Sequence, residues 1–256
     1  GTSRAGEIPG MIIALAVFAA IAVGSCMQRV SGMGVGLISG PILSLILGPV
    51  EGIMVLNILA CINAGATTVV VRKNVVWSQV ALLGSVLVLG SVPAAFLIAA
   101  MDTAPLLILV GVSLLIALAV VTLGKNYVPK INGRGPGLVA GVLGGFTNTL
   151  AGVAGPVFTV YFSAARWKQA NLAATMQPLF MLGGGISFIV KALVGAAAIT
   201  SIAWLVWPAG ALGMLVGISL GSLIAHRIEQ AAARKFSLLV AAAGAIAAVI
   251  RGVTSL

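Results

Sequence analysis

The chain has 256 residues, of which 61% are hydrophobic and only 7% charged, and its mean hydropathy is +1.21. That excludes an ordinary soluble domain: one apolar run after another reaches the ~18 to 20 residues that span hydrocarbon, so the chain reads as a polytopic membrane protein. Its net charge of +10 is dispersed over short connections. With no basic stripe, it points to membrane orientation and excludes nucleic acid as a partner.

The opening GTSRAGE, without a methionine, reads as a processed or appended end and is left out of the fold reasoning. Apolar segments then run from about 8 to 28, 31 to 48, 52 to 71, 75 to 100, 104 to 124, 136 to 162, 169 to 190, 199 to 225 and 232 to 250. The connections are short, so a single all-α membrane domain is expected over 1–256. Residues 8–48 are too long for one crossing at about 1.5 Å per residue and are interrupted by SCMQRVSGMG. Residues 136–162 are interrupted similarly, by TNTLAGVAGP.

The two interrupted regions resemble each other. GLISGPILSLIL and GVAGPVFTVYF share a Gly-Pro followed by an apolar arm, Gly40-Pro41 answering Gly155-Pro156, and each is followed by three more spans. Asn57 and Asn171 then fall near the start of the next span. Gly84, Gly90 and Ala94 answer Gly213, Gly217 and Gly221 in the third. Two homologous halves are expected, about 8–124 and 136–251, joined by a cytoplasmic connection over 125–135. The small residues spaced by four in GISLG predict close helix approach.

Charge placement orients the chain. If both interrupted regions are hairpins, one face gathers Arg72, Lys73, Lys125, Lys130, Arg134, Arg166, Lys168, Arg227, Arg234 and Lys235, and the other keeps Arg4, Lys191 and Arg251. That asymmetry follows the positive-inside rule, whereas single crossings give a poorer one. The crowded face is then cytoplasmic, both termini are outside, and the halves are inverted. Lys191 and Arg251, at span ends, are expected to snorkel.

A helix broken inside lipid leaves N–H and C=O groups that protein, water or ligand must answer, so the two breaks predict a cavity. A half-helix starting at mid-depth aims free N–H groups and partial positive charge into it, which suits small oxyanions. Gly34, Gly36 and Ser39 are expected to line one tip, and Asn148, Thr149, Gly152 and Gly155 the other. Asn57, Asn63, Thr67, Thr175 and Gln177 on the following spans are polar neighbours, or else interhelical hydrogen-bond glue. Arg29, with no acid near it in sequence, is either the anion's counter-charge or a cation snorkelling to the cytoplasmic boundary.

Glu7, Glu51, Asp102 and Glu229 all fall in the tail or in connections, so no proton relay through a buried carboxylate is expected. His226 beside Arg227 reads as a boundary residue. Cys26 and Cys61 lie in apolar segments and read as buried small hydrophobes, not a disulfide. No cofactor and no metal site is expected.

GMGVGLISGPILSLILG followed by VLNILACINAGATTVVVRKNVVW resembles the first half of the sulfite exporter TauE/SafE family, and GVLGGFTNTLAGVAGPVFTVYF and GMLVGISLGSLIAHRIEQAAARKFSLLV resemble its second. The first signature departs from the family pattern: it reads RVSGMGVG, where a denser glycine run, and often an acidic or neutral residue in place of Arg29, is expected. The resemblance implies a permease of the cytoplasmic membrane, without ATPase parts and not an enzyme, that moves small sulfur-containing anions such as sulfite, sulfoacetate or other organosulfonates, usually outward. A passive channel for the same anions, and a membrane enzyme handling sulfur compounds through Cys26 and Cys61, are the alternatives.

Overall fold

Leu, Ile, Val and Ala fill every long segment, and in lipid a backbone can satisfy its own polar groups only as a helix or a closed barrel. The computed structural model describes residues 4–32, 35–123, 129–196, 200 and 202–256, and every regular element among them is helical. Seven stretches of the described chain are long and apolar enough to cross a membrane. The expected fold class, an all-α polytopic membrane protein, is what the coordinates give.

Helix α1 (Arg4–Ser31) is followed by a five-residue π-turn (Val35–Ser39) and a short α2 (Gly40–Leu47). Three longer passages complete the first half: α3 (Pro49–Val71), the pair α4 (Trp77–Gly84) and α5 (Leu87–Ala100), and α6 (Thr103–Leu123). The second half repeats this order with α7 (Gly135–Ala151), a short α8 (Gly155–Ala164), α9 (Gln169–Val194), α10 (Val206–Ile224) and α11 (Gln230–Thr254).

Packing between the halves is reciprocal. α1 lies along α10 while α7 lies along α4 and α5; α3 pairs with α9, and α6 with α11. Glycine makes the first of these contacts close: a Cβ on Gly217 would lie 2.8 Å from Ser25 Cβ, and one on Gly221 2.7 Å from Arg29 Cβ. The spacing of GISLG therefore does what its sequence predicts, bringing two backbones together with nothing between them.

Side chains are distributed inside out relative to a soluble protein. Leu15, Val69, Phe96, Leu143, Leu193 and Leu223 are exposed, whereas Asn57, Thr149, Gln177, Ser187 and Lys191 are buried. An apolar rim around a partly polar interior is stable in lipid and would be an aggregation liability in water.

The expected span over 75–100 is present as one apolar stretch, Trp77–Ala100, with an interruption inside it: α4 stops at Gly84, Ser85 turns its hydroxyl back to Leu82 O at 2.9 Å, and α5 restarts at Leu87. Gly and Ser in succession weaken the helix there, and Pro93 inside α5 removes a further amide donor. Glu51 lies not in a connection but in the first turn of α3, where the helix dipole favours a carboxylate.

Gly217→Val should overpack the α1–α10 seam and destabilise the protein by about 1–3 kcal/mol. This would appear as a lowered melting temperature in detergent, whereas Leu223→Val on the lipid-facing rim should leave melting nearly unchanged.

Candidate functional site

Both interrupted regions turn back on themselves. α1 runs without a break through Ser25–Ser31, so only the end of the SCMQRVSGMG stretch departs from the helix, beginning at Gly32 with φ +80°. The Gln28 side chain bridges this turn, its Oε1 accepting the Val35 N–H at 3.2 Å. Ser39 Oγ donates to Ala20 O at 2.9 Å and straps the returning arm along α1. Pro41, in the first turn of α2, has no N–H to leave unanswered.

The second turn is built from different residues to the same end. Gly152 adopts a left-handed conformation (φ +70°) and donates its N–H to Asn148 O at 2.9 Å, closing α7 before α8 starts at Gly155-Pro156. Asn148 Nδ2 donates to Ser187 Oγ at 3.1 Å, and Thr149 Oγ1 shares a 2.7 Å hydrogen bond with the same hydroxyl. One serine on α9 therefore anchors the end of α7.

The turns meet. A Cβ on Gly36 would collide with the carbonyl oxygen of Gly152, and one on Gly152 would lie 2.5 Å from Leu56 Cδ2. Between them is an inner pocket of about 40 Å³, bordered by Gln28, Gly36, Asn148, Gly152, Gly155 and Gly184. Both returning arms begin here, so the positive ends of two short helices converge on it. Gln28 also borders a vestibule of about 370 Å³ lined by Arg29, Asn63, Thr67, Gln177 and Ser222. A space of 40 Å³ is on the scale of a water molecule and too small for a polyatomic ion, whereas the vestibule is roughly an order of magnitude larger. On the other side of the turns, Leu150 and Ala151 pack into a buried apolar cluster with Ile98, Leu106 and Val110.

Of the expected residues, Gly36, Asn148, Gly152 and Gly155 border the inner pocket, and Arg29 and Gln177 the vestibule. Arg29 is exposed at the vestibule wall, its Nε donating to Ser222 Oγ at 3.0 Å. Thr149 is buried behind the pocket, holding Ser187. Asn57 is buried and its Nδ2 has no partner among the described residues, as is true of Gln177 Oε1. Gly34 lies outside the described residues. Two residues serve packing instead: Ser39 is spent on α1, and Thr175 Oγ1 accepts the Val76 N–H at 3.1 Å, fixing α9 to the start of α4.

The structure adds Gln28, Gly184 and Ser187. Gln28 stands inside the quoted interruption, as the polar residue that could reach across it. Gly184 and Ser187 lie in the ordinary-looking GGGIS run, and only the packing of α9 on α3 and α7 singles them out. Lys191 overturns an expectation: it does not snorkel but is fully buried, and its Nζ has no partner among the described residues. Arg251 is exposed and donates to Leu45 O, tying the end of α11 to α2.

Two glycine turns thus meet in a bundle of apolar helices long enough to cross a membrane, beside a cavity with a cation in its wall. The family model for the sulfite exporter TauE/SafE matches residues 16–248, and the chain belongs to that family, whose members are membrane transporters of sulfite and related anions. Comparison with curated proteins and with solved structures gives no match.

Ser187→Ala removes the shared partner of Asn148 and Thr149 and should destabilise the protein by about 1–3 kcal/mol. Ser219→Ala, which removes only an exposed hydroxyl bonded to its own helix, should melt like the parent.

Proposed function

We propose that the chain is a secondary carrier that exports a small sulfur-containing oxyanion, sulfite or a related organosulfonate, by alternating access around the inner pocket. The observation that carries this reading is the meeting of the two glycine turns at an inner pocket that shares Gln28 with the larger vestibule. A glycine at each approach lets an anion reach backbone N–H groups, and Arg29 supplies a full charge at the entrance. The packed layer of Leu150, Ala151 and Ile98 beyond the turns favours a carrier over an open pore.

The two halves form an inverted repeat in one membrane domain, 8–124 and 136–251. The reciprocal packing of α1 on α10 and of α7 on α4 and α5 supports the pairing. The vestibule opens to the cytoplasm, and both termini are outside. Its wall includes Asn74, Ala170 and Gln230, each within five residues in sequence of one or more of Arg72, Lys73, Lys168, Arg234 and Lys235, a basic clustering that supports a cytoplasmic face there by the positive-inside rule. With the cell interior negative, moving one negative charge outward gains about 2.3 kcal/mol per 100 mV, which drives export without a second ion. Asn57 Nδ2, a buried donor with no partner among the described residues, is the group that contacts the anion as it reaches the turns. The thiol-enzyme alternative predicts loss of function on replacing both Cys26 and Cys61 by Ser; the carrier reading predicts full function.

Flux of sulfite and small sulfonates across proteoliposomes tests this reading. Saturable transport with counterflow is expected, accelerated when the compartment holding the anion is electrically negative; linear flux without counterflow would indicate a pore, and no flux of any of these anions would overturn the proposal. Removing a charge-assisted contact removes roughly 1.5–3 kcal/mol, so Arg29→Ala should reduce flux about tenfold or more while Arg29→Lys retains part of it. Unchanged affinity and rate in Arg29→Ala would discard its role as counter-charge.

A further inference from the structure

One face of α9 runs the length of the transport route. Ala170, Ala173 and Gln177 line the vestibule, and Phe180 and Gly184 border the inner pocket. These positions advance by three and four residues in alternation, the spacing of a single helical stripe. The next two members are Ser187, which holds the end of α7 through Asn148 and Thr149, and Lys191, which is fully buried with an unpartnered ammonium nitrogen. At about 1.5 Å per residue Lys191 lies roughly 10 Å past Gly184, and roughly 20 Å from Gln177.

α3 shows what such a position becomes when its end of the route is open. Ala60 borders the inner pocket, and Asn63, Thr67 and Val70, continuing the same spacing toward the C-terminus of α3, line the vestibule. α9 is the counterpart of α3 in the second half, and the C-terminal part of its stripe is Ser187 and Lys191. In lipid or in a packed interior, an amine without an acceptor is strongly unfavourable, and chains rarely keep one unless it has a partner in another state.

We infer that Lys191 is the counter-charge of a second anion station, on the side of the turns opposite the vestibule, which the transported oxyanion occupies once that side opens. The inference rests on the carrier reading and deepens it: Arg29 meets the anion at one end of the α9 stripe and Lys191 at the other, with the glycine turns between them.

The test uses the full chain with Lys191→Met and Lys191→Arg, read by two independent measurements. In proteoliposomes, sulfite flux should fall at least 30-fold in Lys191→Met and return to a third or more of the parent value in Lys191→Arg. In the second measurement, melting is followed in sulfite, sulfate and a bulky organic-anion buffer. The parent should be stabilised by the small oxyanions, and Lys191→Met should melt higher than the parent in the bulky buffer and lose at least half of the oxyanion-dependent rise. Parent-like flux in Lys191→Met, with flux in the parent intact, overturns the inference and leaves the carrier reading standing. If the parent moves none of the anions, the carrier reading falls, and a full oxyanion-dependent rise in Lys191→Met then overturns the Lys191 station as well.

Discussion

The fold is governed by one constraint, that main-chain N–H and C=O groups inside hydrocarbon must be answered. Unbroken helices meet it trivially, and the bundle consists of them except at a few places. At the two turns, opened main-chain groups are answered by a side chain in one case and by the main chain in the other. Gln28 reaches the first amide of the returning arm, and Gly152 donates back to Asn148 O, which leaves the Asn148 side chain free to grip Ser187. The breaks are buried against one another because neither could face lipid. A pocket lined by backbone follows from that burial, and the two short helices that begin there turn their N-termini toward it.

Between elements, glycine plays a different part. Without a hydrophobic driving force between helices in lipid, association depends on close packing, and glycine permits the closest. α10 presents Gly213, Gly217 and Gly221 to the backbone of α1; α7 presents Gly141 and Gly145 to Leu83 and Leu87. Such seams are smooth along the helix axis because few side chains interlock across them. They join the first helix of each half to the other half, where a rocking motion of one half against the other would have to be accommodated.

Much of this is legible in the sequence because hydrophobic length and glycine placement are local properties. The apolar runs, the two interruptions, their repetition and the GISLG seam are all written in short strings. The parts that are not legible depend on partners distant in sequence. Thr175 has the composition of a site residue, yet its hydroxyl is used by Val76, almost a hundred positions away. Ser187 is unremarkable until α7 is laid against it. Lys191 has the position of a snorkelling cation near the end of α9, but how the helices pack around it decides that it is buried. The split between α4 and α5 is hidden because the apolar run continues through it. Only Gly84 and Ser85 mark it, and α7 packs over the gap.

The distribution of charge completes the argument for an anion path. Glu51 sits in the first turn of α3, Glu229 is the residue immediately before α11, and Asp102 accepts the Leu106 N–H through its backbone at the start of α6. Each of these carboxylates therefore stands at a helix N-terminus, where the dipole stabilises it. None of them lines the vestibule or borders the inner pocket. The charged side chain in the vestibule wall is Arg29, and the neutral groups around it are amides and hydroxyls. A cation entering such a space would lose hydration and meet a guanidinium and two helix N-termini. An oxyanion would exchange its water for donors of matching sign. Glu51, Asp102 and Glu229 are thus kept away from both cavities, while Arg29 is kept in the wall of one.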